Sequence, residues 1–485
     1  MRRLGYDMRP GARGLPAARR EVAVRRSFAC LLAAAAGLVP LAAQPVPTLR
    51  EAAAARRARV LGAIPEGIAI IQSADRSQPS LYEFMVPDTE SHDFLYLSGL
   101  DSPALPGSVL VLNPRGATHR EVLYTSDDVA RAKEVTGIAH VFPHARFLED
   151  LSSAITDYRN LRITQLRFKP VASDLSRGLG TGGGRKAIYL NYPRFSNLSE
   201  PPNPRFALAD RLRGASPEIE MRDASEFMDP ERSIHDDYGL AQLRQAIRIT
   251  GHGLMEAMRA VRPGTSTREI AEIMDFVYRF NGAGLGFDTG VSAGPQDVPR
   301  YATAREEFEA RAGSPIVKAG DLVHIDTGAE FNHYSADVQR NVPANGTFTP
   351  DQRRVYDAVL DVQKAVIDRV RPGVKWQELH DLAVRMLAEA GGWDASYTYG
   401  IGHFIGMEVH DHGDYLGPLR PGMALSIEQG AIVDGTRVAF EDDVLVTEGG
   451  HEWLTRFIPI EADEIERLRA QPSRFDRSWL LVKPQ

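Results

Sequence analysis

Cysteine is almost missing. The 485 residues hold one, Cys30, in the first 43 positions, so the rest of the chain has no disulfide, no thiol nucleophile and no thiolate metal ligand. A basic excess is missing as well: 57 lysines and arginines stand against 64 acidic residues, for a formal net charge of −7. Eight arginines against Asp7 and Glu21 put about +6 on residues 1–43, which leaves about −13 on the remainder. That balance argues against a nucleic-acid binder. The apolar run around Leu31–Ala36 is too short for a permanent membrane span. What is present, 43% hydrophobic and 25% charged residues, reads as a soluble globular chain long enough for two or three domains.

The segment from Arg25-Arg26-Ser27-Phe28 to Ala42-Ala43-Gln44 has a basic start, an apolar middle and a small-residue end, and residues 1–43 are expected to be an export signal. The paired arginines fit a twin-arginine signal, an ordinary Sec signal being the alternative, and Met8 is a second candidate start. The expected destination is periplasmic or secreted. From about residue 44 to 222, short apolar runs such as Ser108–Leu112 and Ala187–Leu190 mix with helical stretches in an α/β pattern. The glycine-rich Gly178–Lys186 lacks the Ser or Thr that a P-loop needs after its lysine, and reads as a loop.

After Met228-Asp229-Pro230 the character changes. Amphipathic stretches Leu240–Ala260 and Ser266–Phe280 flank Pro263-Gly264, and Asp351–Val370 and Trp376–Ala390 flank Pro372-Gly373. Strand-like sequence follows each pair, so residues 223–470 are expected to form a pseudo-twofold α+β domain, with 471–485 as a tail.

In Asp321–Asp326, alternation puts His324 and Asp326 on one strand face and Val323 and Ile325 on the other. Ser335–Gln339 is the expected partner strand, bringing Asp337 toward Asp326 across a hairpin. Met423–Glu428 is expected to end a strand at Glu428, and Glu441 to open the next one. Between them, His403 and His410 stand seven residues apart. Four converging carboxylates would repel one another and take up protons, whereas two divalent cations neutralise them. Oxygen donors with one imidazole suit manganese, and tolerate cobalt or zinc. Two such cations would acidify a shared water toward neutral pH, which makes a hydrolytic site.

Asp326, Asp337, His403, Glu428 and Glu441, in this order and in these local motifs, resemble the pita-bread metallopeptidases, the group of aminopeptidase P, prolidase and methionine aminopeptidase. Phe94–Gly99 and Pro459–Glu466 look like the amino-terminal domain and carboxy-terminal tail of aminopeptidase P. The resemblance implies an α/β amino-terminal domain and a pita-bread catalytic domain. It implies that Asp326 holds one metal, Asp337 and Glu441 bridge, and His403 and Glu428 complete the other. It also gives Glu428 the steering of a hydroxide onto the scissile carbonyl, and His410 a hydrogen bond to that carbonyl. The implied activity is removal of the amino-terminal residue from peptides, Xaa-Pro above all, in a chain that could form a homo-oligomer.

Some positions depart from the family pattern. Arg300 and Tyr399 stand where histidines are usual, Gln429 replaces a proline, and Ala439 replaces an arginine whose face Arg437 would share. Arg300, Tyr399 and Arg437 are therefore the candidate substrate contacts. His412 and His333 are expected to be solvated or to stand behind the ligands. Gly290–Gly294 matches a serine-hydrolase elbow around Ser292 but is followed by Pro295 and Pro299 instead of a helix. The competing reading is a pita-bread fold kept as a binding module, or a metal-free hydrolase resembling creatinase.

Overall fold

The structure, a computed structural model, describes residues 45–73, 91–100, 107–160, 169–180, 186–192, 206–295, 316–393 and 400–475. The expected export segment, Arg300 and Tyr399 lie outside the described residues.

The first part of the fold is a mixed six-stranded sheet. Its strands are β1 (Ile68–Gln72), β2 (Val109–Leu112), β3 (Glu121–Thr125), β4 (His140–Pro143), β5 (Lys186–Leu190) and β6 (Ile219–Asp223), in the order β4-β3-β2-β1-β5-β6. β1 and β2 are apolar at nearly every position because both of their faces are covered. Ala69, Ile71, Leu110 and Leu112 meet α1 (Leu49–Ala63), α2 (His92–Ser98) and α3 (Val129–Thr136) on one side. Ile68, Ile70, Val109 and Val111 meet α4 (Phe147–Asn160), α5 (Pro170–Leu179) and α6 (Phe206–Ala215) on the other. The apolar runs read from the sequence are these strands.

A short helix, α7 (Ser225–Arg232), leads to the second part. There α8 (Asp237–Ala260) is capped by Asp236, and α9 (Thr267–Phe280) by a reciprocal Ser266–Glu269 box. α10 (Pro350–Arg369) begins with the same device, Thr349 and Gln352, and with Pro350 in the first turn, where its missing N–H costs nothing. α11 (Trp376–Gly391) ends on Gly392 in the left-handed region. Gly264 and Gly373, each with φ near +90°, make the turns inside the two helix pairs, so the repeat expected from the sequence is present as two helical hairpins.

Strands follow each hairpin. β7 (Gly284–Leu285), β10 (Ala329–Phe331) and β11 (Tyr334–Ser335) form a small sheet. The large antiparallel sheet holds β8 (Gly290–Ala293), β9 (Leu322–Thr327), β12 (Val338–Pro343), β13 (Gly402–Phe404), β14 (Ala424–Val433), β15 (Thr436–Thr447) and β16 (Gly450–Trp453). Its order is β13-β14-β15-β12-β9-β8, with β16 beside β15. α10 packs on β14 and β15, and α12 (Ala462–Arg469) packs on α8 and α10.

Two strand limits differ from expectation. Glu428 does not end its strand and Glu441 does not open one: β14 and β15 pair continuously from Ala424 with Leu445 to Val433 with Thr436. The hairpin turns at Asp434-Gly435, both at positive φ, as a two-residue turn requires. Gly430, inside β14, lies opposite the small Ala439. Ser292 lies within β8, paired with His324, so the elbow reading fails on geometry. Among the described residues, no helix is long and apolar enough to cross a membrane.

Candidate metal centre

Residues directly opposite each other in an antiparallel sheet share a face. Across β9, β12, β15 and β14 the register aligns Asp326, Gln339, Glu441 and Glu428 in one row. Asp337 precedes Gln339 by two. His403 on β13 lies opposite Ser426, two before Glu428. Alternation thus brings all five expected donors to one face of the large sheet.

Three of them form a tight group. Asp337, His403 and Glu441 each offer a ligand atom, and these atoms lie within 4.8 Å of one another. His403 Nε2 is 3.5 Å from Asp337 Oδ2 and 3.3 Å from Glu441 Oε1. All three residues are buried, while Asp326 and Glu428 are half-buried. His403 Nδ1 lies 3.1 Å from the Phe404 carbonyl, to which it donates, and this leaves Nε2 facing the carboxylates.

The carboxylates are not independent. Burial, followed by the charge of Glu441, raises Asp337 well above the usual range and pushes Glu428 up to about 8. Burial also opposes ionisation of Glu441, but hydrogen bonds from His403, Ser426 and Gln339 hold it low. Glu441 is the ionised member, and its neighbours keep protons that a cation would displace. Asp337 Oδ1 is buried with no hydrogen-bond partner among the described residues. A buried carboxyl oxygen without a partner, beside a second carboxylate and an imidazole, fits a divalent cation that would displace the proton.

His410 lies in the segment after β13, with its ring centroid 4.2 Å from that of His403 at 71°. The residue is exposed. Its pKa lies below the ordinary imidazole range through desolvation first and then through the charge of His403. Arg437 on β15 is half-buried, and its charge acts on Glu428.

Two sets of residues escaped the sequence reading. One surrounds Glu441: Ser426 Oγ donates to Oε1 at 2.5 Å and Gln339 Nε2 donates to Oε2 at 2.5 Å. Gln339 Oε1 lies 3.0 Å from His324 Nε2. The other holds the segment that carries His410. Asp411 accepts from the backbone N–H groups of Met407 and His412, each at 2.7 Å. Arg232 of α7, fully enclosed, donates to Asp411 at 2.6 Å, Glu408 at 3.2 Å, Asp93 at 2.9 Å and His412 Nε2 at 2.8 Å. His412 was expected to be solvated or to stand behind the ligands. It is buried and donates through Nδ1 to Asp229. Glu408, Asp411 and His412 are close enough to hold a cation of their own, and the Arg232 guanidinium takes that place. No local spacing announces this network, because its cation comes from more than 170 residues earlier.

Residues 241–448 match metallopeptidase family M24, and residues 53–163 match the aminopeptidase P N-terminal domain. The chain is 31% identical over 281 residues to Xaa-Pro aminopeptidase 1 of Streptomyces coelicolor, a match covering 50% of this chain and 56% of that one. With the Xaa-Pro aminopeptidase of Haemophilus influenzae the identity is 31%, over 51% of this chain and 64% of the relative. This chain therefore spans little more than half the length of the first of these relatives. The structure of Pseudomonas aeruginosa aminopeptidase PepP superposes with a TM-score of 0.68 at 25% identity, covering 88% of this chain and 99% of that one. Proline aminopeptidase P II of Yersinia pestis gives 0.66 at 25% identity, covering 87% and 99%. The six-stranded amino-terminal sheet and the large sheet with its five aligned donors agree with both matches: the chain is similar to metallopeptidase family M24 over residues 241–448 and to the aminopeptidase P N-terminal domain over residues 53–163.

Proposed function

We propose that this chain is a metallo-aminopeptidase that removes the amino-terminal residue from short peptides with proline in second place, using two divalent cations. The observation that carries the reading is the buried group of Asp337, His403 and Glu441, with the unpartnered Oδ1 of Asp337 and with Asp326 and Glu428 on the same sheet face. Asp326 would hold one cation, His403 and Glu428 the other, and Asp337 and Glu441 both. The hard oxygen donors favour manganese, with cobalt or zinc as substitutes. When bound, the cations would acidify water toward neutral pH and polarise the scissile carbonyl.

The chain's own residues supply the rest. Glu428 stands directly opposite Glu441 and is half-buried, so it is placed to take a proton from the attacking water and pass it to the leaving nitrogen. His410, exposed beside His403, is placed to hydrogen-bond the substrate carbonyl. Arg437, with Arg300 and Tyr399, would anchor the peptide. A proline after the scissile bond carries no N–H, so recognition falls on ring shape and on these anchors. The names of the Streptomyces and Haemophilus relatives support the choice of Xaa-Pro peptides. We also read residues 1–43 as an export signal, which would place the mature chain outside the cytoplasm; sequencing the amino terminus of the secreted form tests that reading.

The test of the activity combines metal analysis with hydrolysis of matched Xaa-Pro and Xaa-Ala peptides. Two equivalents of metal and release of the first residue from Xaa-Pro are expected. Asp337→Ala should lose both metals together, because a bridging carboxylate serves two sites. A protein that binds metal but ignores every Xaa-Pro peptide refutes the substrate assignment and leaves the dimetal one.

A further inference from the structure

Glu441 stands at the centre of the row of donors, and its orientation is decided by residues no motif includes. Each carboxylate oxygen offers two lone pairs. One on Oε1 is taken by Ser426 Oγ at 2.5 Å, and one on Oε2 by Gln339 Nε2 at 2.5 Å. Oε1 also lies 3.3 Å from His403 Nε2, and Glu441 offers a ligand atom within 4.8 Å of those of Asp337 and His403.

A glutamine beside a carboxylate has two orientations, and only one is attractive. With Nε2 toward Glu441 it donates; with Oε1 toward Glu441 two acceptors collide. Gln339 Oε1 is 3.0 Å from His324 Nε2. Since Glu441 only accepts, Gln339 must donate to it, so Oε1 faces the histidine and His324 must donate through Nε2. His324 and Gln339 are buried, at 5% and 7% exposure, so water does not supply the donor in its place. The next residue on this face is held as well: Asn341, opposite His324, is bound to the backbone of Ala439 through both ends of its amide, at 2.5 and 3.3 Å.

Resting on the dimetal reading above, we propose that His324 is a positioning residue for the metal centre: it fixes the Gln339 amide, which fixes the Glu441 carboxylate in its cation-accepting orientation. His324 touches neither cation nor peptide. It acts through the Gln339 amide that its Nε2 meets.

The test is calorimetric titration of the metal-stripped full-length protein with Mn²⁺. His324→Phe and Gln339→Met should each weaken Mn²⁺ binding by about 10–100-fold, the usual loss when a hydrogen bond behind a ligand is removed. The double variant should bind no more weakly than Gln339→Met alone, because the proposed relay runs from His324 to Glu441 through the Gln339 amide. His324→Gln, which keeps an N–H donor, should restore most of the affinity. Wild-type affinity in His324→Phe, or losses that multiply in the double variant, overturn the relay. Should His324→Phe fail to fold, Gln339→Met carries the same test, and unchanged Mn²⁺ affinity there overturns the proposal. A wild type that binds no Mn²⁺ overturns this inference and the dimetal reading together, whereas normal wild-type binding with indifferent variants removes the relay alone.

Discussion

Two imidazoles meet edge to face at the site, and their surroundings divide the work between them. His403 is buried with its Nε2 between two carboxylates, whereas His410 is exposed and its pKa is lowered by desolvation and by the charge of His403. A group placed like His403 holds a cation; one placed like His410 is free to meet a substrate. His410→Ala should therefore retain both metals while kcat falls by about 10²–10⁴, the range for losing a positioned proton-handling group. Metal analysis and steady-state kinetics on the same sample check this. Metal lost in step with activity would make His410 a ligand. The pair was visible in the sequence as a spacing of seven, and Asp326 and Glu428 as ends of alternating runs. Gln339 and His324 were not, since their meaning depends on which strand lies between Asp326 and Glu441, and that is a property of register.

Strands and loops show the same division. The apolar runs of β1 and β2 and the Pro-Gly turns of the helical hairpins are local signals, and the structure follows them. The extent of β14 and β15 was misjudged: the alternating run was read as ending at Glu428, whereas the two strands pair on to Val433 and Thr436, which is a tertiary fact. In the amino-terminal sheet a single side chain organises a turn in the same non-local way. Asp174 of α5 accepts the backbone N–H groups of Ala117, Thr118 and His119 at 3.2, 2.9 and 2.8 Å, and the His119 ring at 2.9 Å. Burial alone would raise its pKa, but these donors, His119 first, bring it down to about 2. A carboxylate whose folded pKa is depressed stabilises the fold above its unfolded pKa, and the benefit is lost as pH falls through the folded value. The window is about pH 4 down to 2, and the amount is on the order of 2 kcal/mol. Asp174→Asn should lower stability at pH 7 and flatten the slope of stability against pH across that window, measured by urea unfolding. An unchanged slope would show that Asp174 does not carry this part of the acid response.

At the scale of the whole molecule, the two sheets share one apolar core. Ala69, Leu110 and Tyr189 of the first sheet belong to the same buried cluster as Tyr238, Leu243, Ile405, Met407 and Leu445 of the second part. Two arginines cross that boundary. Arg56 of α1 reaches Asp236 at 2.7 Å and Tyr334 at 3.0 Å. Arg232 ties Asp93 of α2 to Glu408 and Asp411 beside His410. Through Arg232, α2 is thus tied to the segment that carries His410. Burial disfavours the charge on Arg232, but Asp411, Glu408 and Asp93 together raise its pKa. Removing the cation leaves buried Asp411 and half-buried Glu408 and Asp93 facing only the neighbouring His92 and His412, and breaking a buried pair from one side costs about 3–5 kcal/mol. Arg232→Met, which keeps most of the stem, should lose about that much stability in urea unfolding. Because the network is enclosed, added salt should not reproduce the loss in wild type. With metals loaded, kcat should fall as His410 loses its fixed support, while metal content stays at the wild-type level because no ligand is touched. Arg232→Lys retains a charge without the fork that reaches several acceptors at once, and should fall between the two. A methionine variant within about 1 kcal/mol of wild type would place Arg232 among the many ion pairs that contribute little, and the hold of the amino-terminal domain on the catalytic loop would then rest on the shared apolar core alone.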